Sequence, residues 1–245
     1  MVASSLGSST VAVGWDVGGW NCDNNTKSRD ALIVLNEQAQ RLGQPWRGNL
    51  RQAINDAPHA DAFLGKIFSL CRIDGAPSTS KVIIAIDAPL AFPASLIELL
   101  TAGRIERDLG ESATNPYLYR FTERRLVTPG KVPLSAVKDM IGSQSTKAIH
   151  ATTKFAPNIE ALGVWSDGGA SRFIETYPAA CRRLATKAEE FSVAGLVGHD
   201  DIIDAGVCAL IALRFAVAPE TLEPPPPDAP ASEGWIWLPR SRAAQ

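Results

Sequence analysis

The chain predicts a single α/β domain built on a mixed sheet, and three observations predict it. Short, strongly apolar runs recur at residues 11–20, 31–35, 82–89 and 171–178, each bounded by glycine, proline or polar residues as strands are. Between them lie longer segments with apolar residues at helical spacing, and strands alternating with helices are the pattern of an α/β fold. Asp16 and Asp87 each stand near the carboxyl end of such a run, and in open α/β sheets the carboxyl ends of strands form the crevice where ligands bind.

The 245 residues suffice for one substantial core. Residues 1–10 are Ser-rich and carry neither basic residues nor an apolar stretch, so they read as a disordered tail rather than a signal peptide. Residues 11–20 form a strand that opens at Asp16 into the Gly18-Gly19 turn, and residues 31–35 form a second strand antiparallel to it. Residues 49–70 carry helical spacing, with Leu50, Ile54, Phe63, Leu64, Ile67 and Phe68 facing a core. The run from Val82 to Ile86 is nearly all β-branched, as in a strand covered on both faces, and Pro89 stops it just after Asp87. A short helix begun by Pro93 follows.

Residues 103–157 differ in composition. Arg104, Arg107, Arg120, Arg124, Arg125, Lys131, Lys138, Lys147 and Lys154 are interleaved with Tyr117, Tyr119, Phe121 and Phe155. Such a segment suits a polyanion, with cations for phosphates and rings for bases, although a solvated face of an ordinary insertion has the same composition. It reads as an insertion between two strands. A further strand at 171–178 carries Glu175 near its end, and a helix follows to about residue 187. Residues 223–230 form a stiff proline-rich spacer, and 234–239 return to the body as an edge strand or packed tail. The domain thus spans 11–222, with 223–245 as spacer and tail.

The last helix holds the sharpest signal. Between Ile202 and Leu213 the only charged residue is Asp204, and a carboxylate among aliphatic neighbours needs a partner. Asp201 lies three residues earlier, on the same helical face, so both acids point at one spot. Two anions held together call for a cation. His199, Asp200 and Asp201 also suit an N-terminal cap, which accounts for Asp200 and Asp201 better than for Asp204.

The net charge of −2 excludes a globally basic nucleic-acid binder, so any such contact must be local. Cys22, Cys71, Cys181 and Cys208 include no CxxC pair, which argues against a zinc or disulfide scaffold and for a reducing, cytoplasmic setting. The longest apolar run contains Asp204 and Arg214 and falls short of the roughly 20 residues a membrane span requires, so no membrane partner is expected.

Read in order, Trp15-Asp16-Val17-Gly18-Gly19, Ile86-Asp87-Ala88-Pro89-Leu90, Glu175-Thr176-Tyr177-Pro178 and Asp200-Asp201-Ile202-Ile203-Asp204-Ala205 resemble the predicted nucleases of the ribonuclease H fold, over nearly the whole chain. The resemblance implies a five-stranded mixed sheet flanked by helices, with the helical insertion between its fourth and fifth strands. In the wider superfamily, which includes Holliday-junction resolvases, an acid on the first strand, one on the fourth and an Asp-x-x-Asp pair on the last helix hold divalent metal. Carried over, these are Asp16, Asp87, Asp201 and Asp204, with Mg²⁺ or Mn²⁺ as cofactor, DNA or RNA as substrate and a homodimer as the expected assembly. The fourth-strand acid is commonly Glu in that pattern and is the shorter Asp87 here. Glu175 or His199 is the expected proton carrier. Two other readings fit parts of the chain. Asp16-Val17-Gly18-Gly19 with Asp167-Gly168-Gly169 resembles the paired phosphate-binding turns of acetate and sugar kinases, which implies a phosphotransferase. A non-catalytic binding module would use the same acids as caps and turn formers.

Overall fold

The structure, a computed structural model, describes residues 10–74, 81–126, 134–184 and 199–240. The expected N-terminal tail, apart from Thr10, lies outside them, as do Lys131 and the end of the helix expected to reach residue 187. Among the described residues seven strands form one mixed sheet: β1 (Thr10–Asp16), β2 (Asp30–Leu35), β3 (Arg41–Gly48), β4 (Lys81–Asp87), β5 (Asn158–Ala161), β6 (Val164–Ser166) and β7 (Ser171–Glu175). Their spatial order is β3-β2-β1-β4-β7-β6-β5. β1, β4 and β7 run parallel to one another, and every other pairing is antiparallel.

The sheet therefore has seven strands where five were expected. β3 carries Gly43 and Pro45 in its middle, a composition that argues against a strand, and it survives because it is an edge, where a missing N–H costs little. β5 and β6 are four and three residues long, too short for any period to show, and they extend the other edge. Among the described residues the regular elements of the insertion expected at 103–157 are helices, α4 (Phe121–Arg125) and α5 (Gly142–Phe155), with α3 (Ala94–Ala102) before it and this small hairpin after it, ahead of β7. The helical stretch expected at 49–70 is two helices, α1 (Arg51–Asp56) and α2 (Ala60–Leu70), divided at Ala57-Pro58, because the residue before a proline is driven out of helical backbone.

Two cores form, one on each face of the sheet, and the period of two along a strand assigns the residues. Val11, Val13 and Trp15 of β1 and Val82, Ile84 and Ile86 of β4 face α1, α2 and α5. Ala12 of β1 and Ile83 and Ala85 of β4 face the other way, against α6 (Pro178–Leu184) and α7 (Asp200–Val217). Asp16 and Asp87 share that second parity and so stand on the α7 face. The tail seals this layer: Trp235, Ile236, Trp237 and Leu238 are buried, and the Trp237 N–H donates to Glu175 O at 2.9 Å. No helix among the described residues is long and apolar enough to cross a membrane.

One glycine sets how closely α7 lies on the sheet. A Cβ added at Gly14 would overlap Ala205 O and Ala209 N, both backbone atoms of α7 that cannot swing aside. Gly14→Ala is expected to destabilise the fold by at least the 1–3 kcal/mol typical of overpacking. For a chain of this size each kcal/mol lowers Tm by about 2–4 °C in a thermal melt. An unchanged Tm would show that α7 does not sit on β1 this closely.

Candidate functional site

The parallel register of β1 and β4 pairs Asp16 directly with Asp87. Both close their strands at the same end of the sheet, and both remain partly open to solvent. The first turns of α7, seated over β1 by Gly14, bring Asp201 and Asp204 to the same place. Burial raises the Asp16 carboxyl well above its ordinary value, and Asp87, Asp201 and Asp204 push it further in that order. Asp87 is raised well above its ordinary value by burial and then by Asp204 and Glu175, against a pull from Arg182. Beneath them the buried Cys208 thiol is also pushed up, by burial and then by Asp87, Asp16 and Asp204. One α7 sulfur thus feels three of the four acids at once.

The four carboxylates differ in their partners. Asp16 and Asp87 make no hydrogen bond or ion pair with any described residue. Asp201 is 7 % exposed and well held, accepting from Arg47 Nε at 2.7 Å and from the Arg29 N–H at 2.9 Å. Asp204 is half-buried and paired with Arg182, which opposes the upward push of burial on its carboxyl. Hence two of the acids carry an arginine and two carry none. No set of three or more His, Cys, Asp or Glu side chains among the described residues stands ready to hold a metal ion.

His199 precedes α7 and joins this network instead of standing free. Its Nε2 lies 3.2 Å from Arg47 Nη2, and its Nδ1 lies 3.2 Å from Asp201 Oδ1. A guanidinium only donates, so Nε2 accepts and Nδ1 carries the proton toward Asp201. His199 is the N-cap residue of α7, and with the proton on Nδ1 its ring holds the Asp201 carboxylate more than the Asp201 N–H 3.4 Å away.

Glu175, the other expected proton carrier, is engaged differently. Its parity on β7 turns it from the α7 face, and it is buried against Arg120. Arg120 Nη1 and Nη2 reach the two Glu175 oxygens at 2.8 and 2.5 Å, and the Leu90 N–H donates to the same carboxylate at 2.9 Å. Arg120 Nε also donates to Glu123 at 2.9 Å, and Nη1 to Glu233 O at 3.0 Å. Burial works against the Arg120 charge, but Glu175 and Glu123 outweigh it and hold the guanidinium protonated more firmly than usual. The Glu233 side chain accepts from the Ala94 and Phe121 N–H groups, so the tail, the insertion and β7 meet at one arginine.

A second buried pair fixes the loop after Asp16. Asp30 and Lys147 are both fully buried and form an ion pair. Asp30 also accepts from Trp15 Nε1 at 3.0 Å and from the Gly18 and Leu50 N–H groups at 2.9 and 2.6 Å, while Lys147 donates to Asn49 Oδ1 at 2.9 Å. Lys147, counted in the sequence among surface cations, is a bolt joining α5 to the β1–β2 loop. Asp30 did not stand out in the sequence, and Arg120 did so only as one cation of the basic segment, because their partners are 117 and 55 residues away.

The two glycine turns that resemble kinase phosphate loops do not meet. Gly18-Gly19 follows the end of β1, whereas Gly168-Gly169 precedes the start of β7, whose first residue pairs with Val82. In a parallel pair those ends lie roughly 20 Å apart. The second turn also closes on itself, with the Gly169 and Ser171 N–H groups donating to Asp167 Oδ1 at 2.7 and 3.1 Å. A cleft of about 140 Å³ adjoins the acids, with Asp87, Arg120 and Glu175 in its lining.

Set against models of protein families, curated proteins and solved structures, the chain matches none of them.

Proposed function

We propose that the chain is a divalent-metal-dependent nuclease of the ribonuclease H-like type, with Asp16, Asp87, Asp201 and Asp204 as its metal-binding acids. The observation that carries this is the register pair Asp16–Asp87, two adjacent, solvent-reachable carboxylates with no hydrogen-bond or ion-pair partner among the described residues, raised by burial and by neighbouring carboxylates under an α7 that adds two more. Charge crowded in this way is costly unless a cation enters it, and perturbed acids in a cleft are a mark of function. The placement also follows the pattern that the resemblance implies, with one acid ending the first strand, one ending the fourth and a pair on the last helix. On this reading β3-β2-β1-β4-β7 would correspond to the five-stranded sheet of that pattern, with β5 and β6 added at its edge.

The donor set suits Mg²⁺ or Mn²⁺, being all carboxylate oxygen. Such an ion, when bound, supplies an activated water and stabilises the leaving oxygen of a phosphodiester. Asp16 and Asp87 would hold it from the strand ends. Asp201 and Asp204 would join by exchanging contacts with Arg47 and Arg182, of which Arg182 is well exposed and able to turn away. His199 would orient Asp201 through its Nδ1–H.

The test is incubation of the purified protein with Mn²⁺ or Mg²⁺ and labelled DNA and RNA, single- and double-stranded. Metal-dependent cleavage is expected, and Asp16→Asn should abolish it; cleavage surviving that substitution refutes the assignment. The two arginine pairs favour a second reading, a non-catalytic binding module whose acids are structural. Calorimetry separates the two, since such a module takes up no Mn²⁺ at millimolar concentration.

A further inference from the structure

We infer that the cleft beside Asp87 receives one unpaired nucleobase, so that the substrate is single-stranded nucleic acid or a strand with a base turned out. The inference rests on the nuclease reading and names its substrate class. The cleft shares Asp87 with the acid cluster, so whatever fills it lies next to the reacting position. Its walls are apolar and partly planar, formed by Val17, Pro89, Leu134, Ile141 and Tyr177. Beyond the ion that Asp87 would hold, its lining offers no free positive charge, because the Arg120 guanidinium is spent on Glu175 and Glu123. The cleft itself therefore gives a phosphate no counter-charge and admits an uncharged planar group.

Gln144 supplies the polar contact. It stands half-buried on α5 at the wall and has no hydrogen-bond partner among the described residues. A primary amide both donates and accepts, as the edge of a base requires. A base paired in a duplex offers neither its face nor that edge. Enzymes acting beside such a pocket use an unstacked nucleotide, and stacking on side chains is tolerant of sequence. The exposed Leu134 at the mouth, 51 % accessible, is an apolar surface that a base would cover.

The experiment is fluorescence anisotropy of a short labelled single strand and of its duplex, with Ca²⁺ in place of Mn²⁺. The single strand is expected to bind at least about tenfold more tightly than the duplex, within the range that base stacking supplies. Ile141→Trp, which fills the cleft, and Gln144→Leu, which removes the amide, should each weaken single-strand binding roughly fivefold to a hundredfold. Both should leave Mn²⁺ uptake unchanged by calorimetry, and Gln144→Leu stands alone if Ile141→Trp does not fold. Equal affinity for single strand and duplex, or single-strand affinity indifferent to the folded variants, overturns the inference. Mn²⁺ uptake together with that indifference removes the base site and keeps the nuclease. Single-strand binding that depends on Gln144, in a protein that takes up no Mn²⁺ and cuts nothing, removes the nuclease and keeps the base site.

Discussion

Asp87→Asn is expected to abolish cleavage while raising the stability of the metal-free protein, and the two effects have one cause. The Asp87 carboxyl is raised well above its ordinary value by burial and by Asp204 and Glu175, so the folded state holds its proton more tightly than the unfolded chain does. Between the unfolded value near 3.8 and the folded value, the unfolded chain has ionised and the folded one has not. Stability therefore falls as pH rises through that window and stays low above it. Asp16 behaves alike, for the same reasons. A neutral amide of the same shape escapes this loss. The gain at neutral pH should lie on the order of 0.5–2 kcal/mol, the usual yield of relieving a functional site, and Tm should rise by about 2–4 °C per kcal/mol. At pH near 4 the two proteins should melt together.

Saturating Mn²⁺ should then reverse the order. A ligand that binds only the folded state stabilises it by about 2.7 kcal/mol at a hundred times its Kd, and the variant, having lost a ligand, should gain far less. Thermal melts at two pH values, with and without Mn²⁺, check all of this. A variant less stable than the parent at neutral pH without metal would mean that Asp87 is a structural acceptor, and the case for a cation at this end of the sheet would lapse.

The parts of the site that the sequence revealed are those whose cause is local. Asp16 and Asp87 could be placed at strand ends because the β-branched runs before them are unambiguous, and Asp201 and Asp204 on one face because a helix repeats every 3.6 residues. The α/β class followed from the same periods. What escaped was set by contacts distant in the chain. Arg47 reaches Asp201 from 154 residues away, on an edge strand that Gly43 and Pro45 disguised. Glu175 could be seen as an acid near a strand end, but its partner depended on the docking of the insertion, which brings Arg120 to it from 55 residues away. Lys147 looked like a surface cation because only the docking of α5 on the β1–β2 loop buries it.

Arg120→Met should produce a large loss of stability. The side chain is 1 % exposed, and it is the one cation between Glu175 and Glu123 among the described contacts, both of which stay buried when it is removed. Breaking a buried pair from one side typically costs about 3–5 kcal/mol, because an uncompensated charge is left behind. At about 2–4 °C per kcal/mol, Tm should fall by more than about 6 °C. The loss should itself depend on pH. Burial already raises Glu123 against the opposing pull of Arg120, and without the arginine that opposition is gone, so its folded value rises further above the unfolded one. Such a group loses stability as pH rises above its unfolded value, so the deficit of the variant should be greatest at neutral pH and shrink toward pH 4. Arg120→Lys should recover only part of the deficit, since an ammonium cannot reach two carboxylates and the Glu233 carbonyl with the fork that Arg120 uses. A deficit equal at pH 4 and pH 7 would assign the loss to packing rather than charge. Glu175 also contributes to the raised state of Asp87, so freeing it from Arg120 should press harder on the acid cluster and link the stability of the insertion to the ionisation of the site.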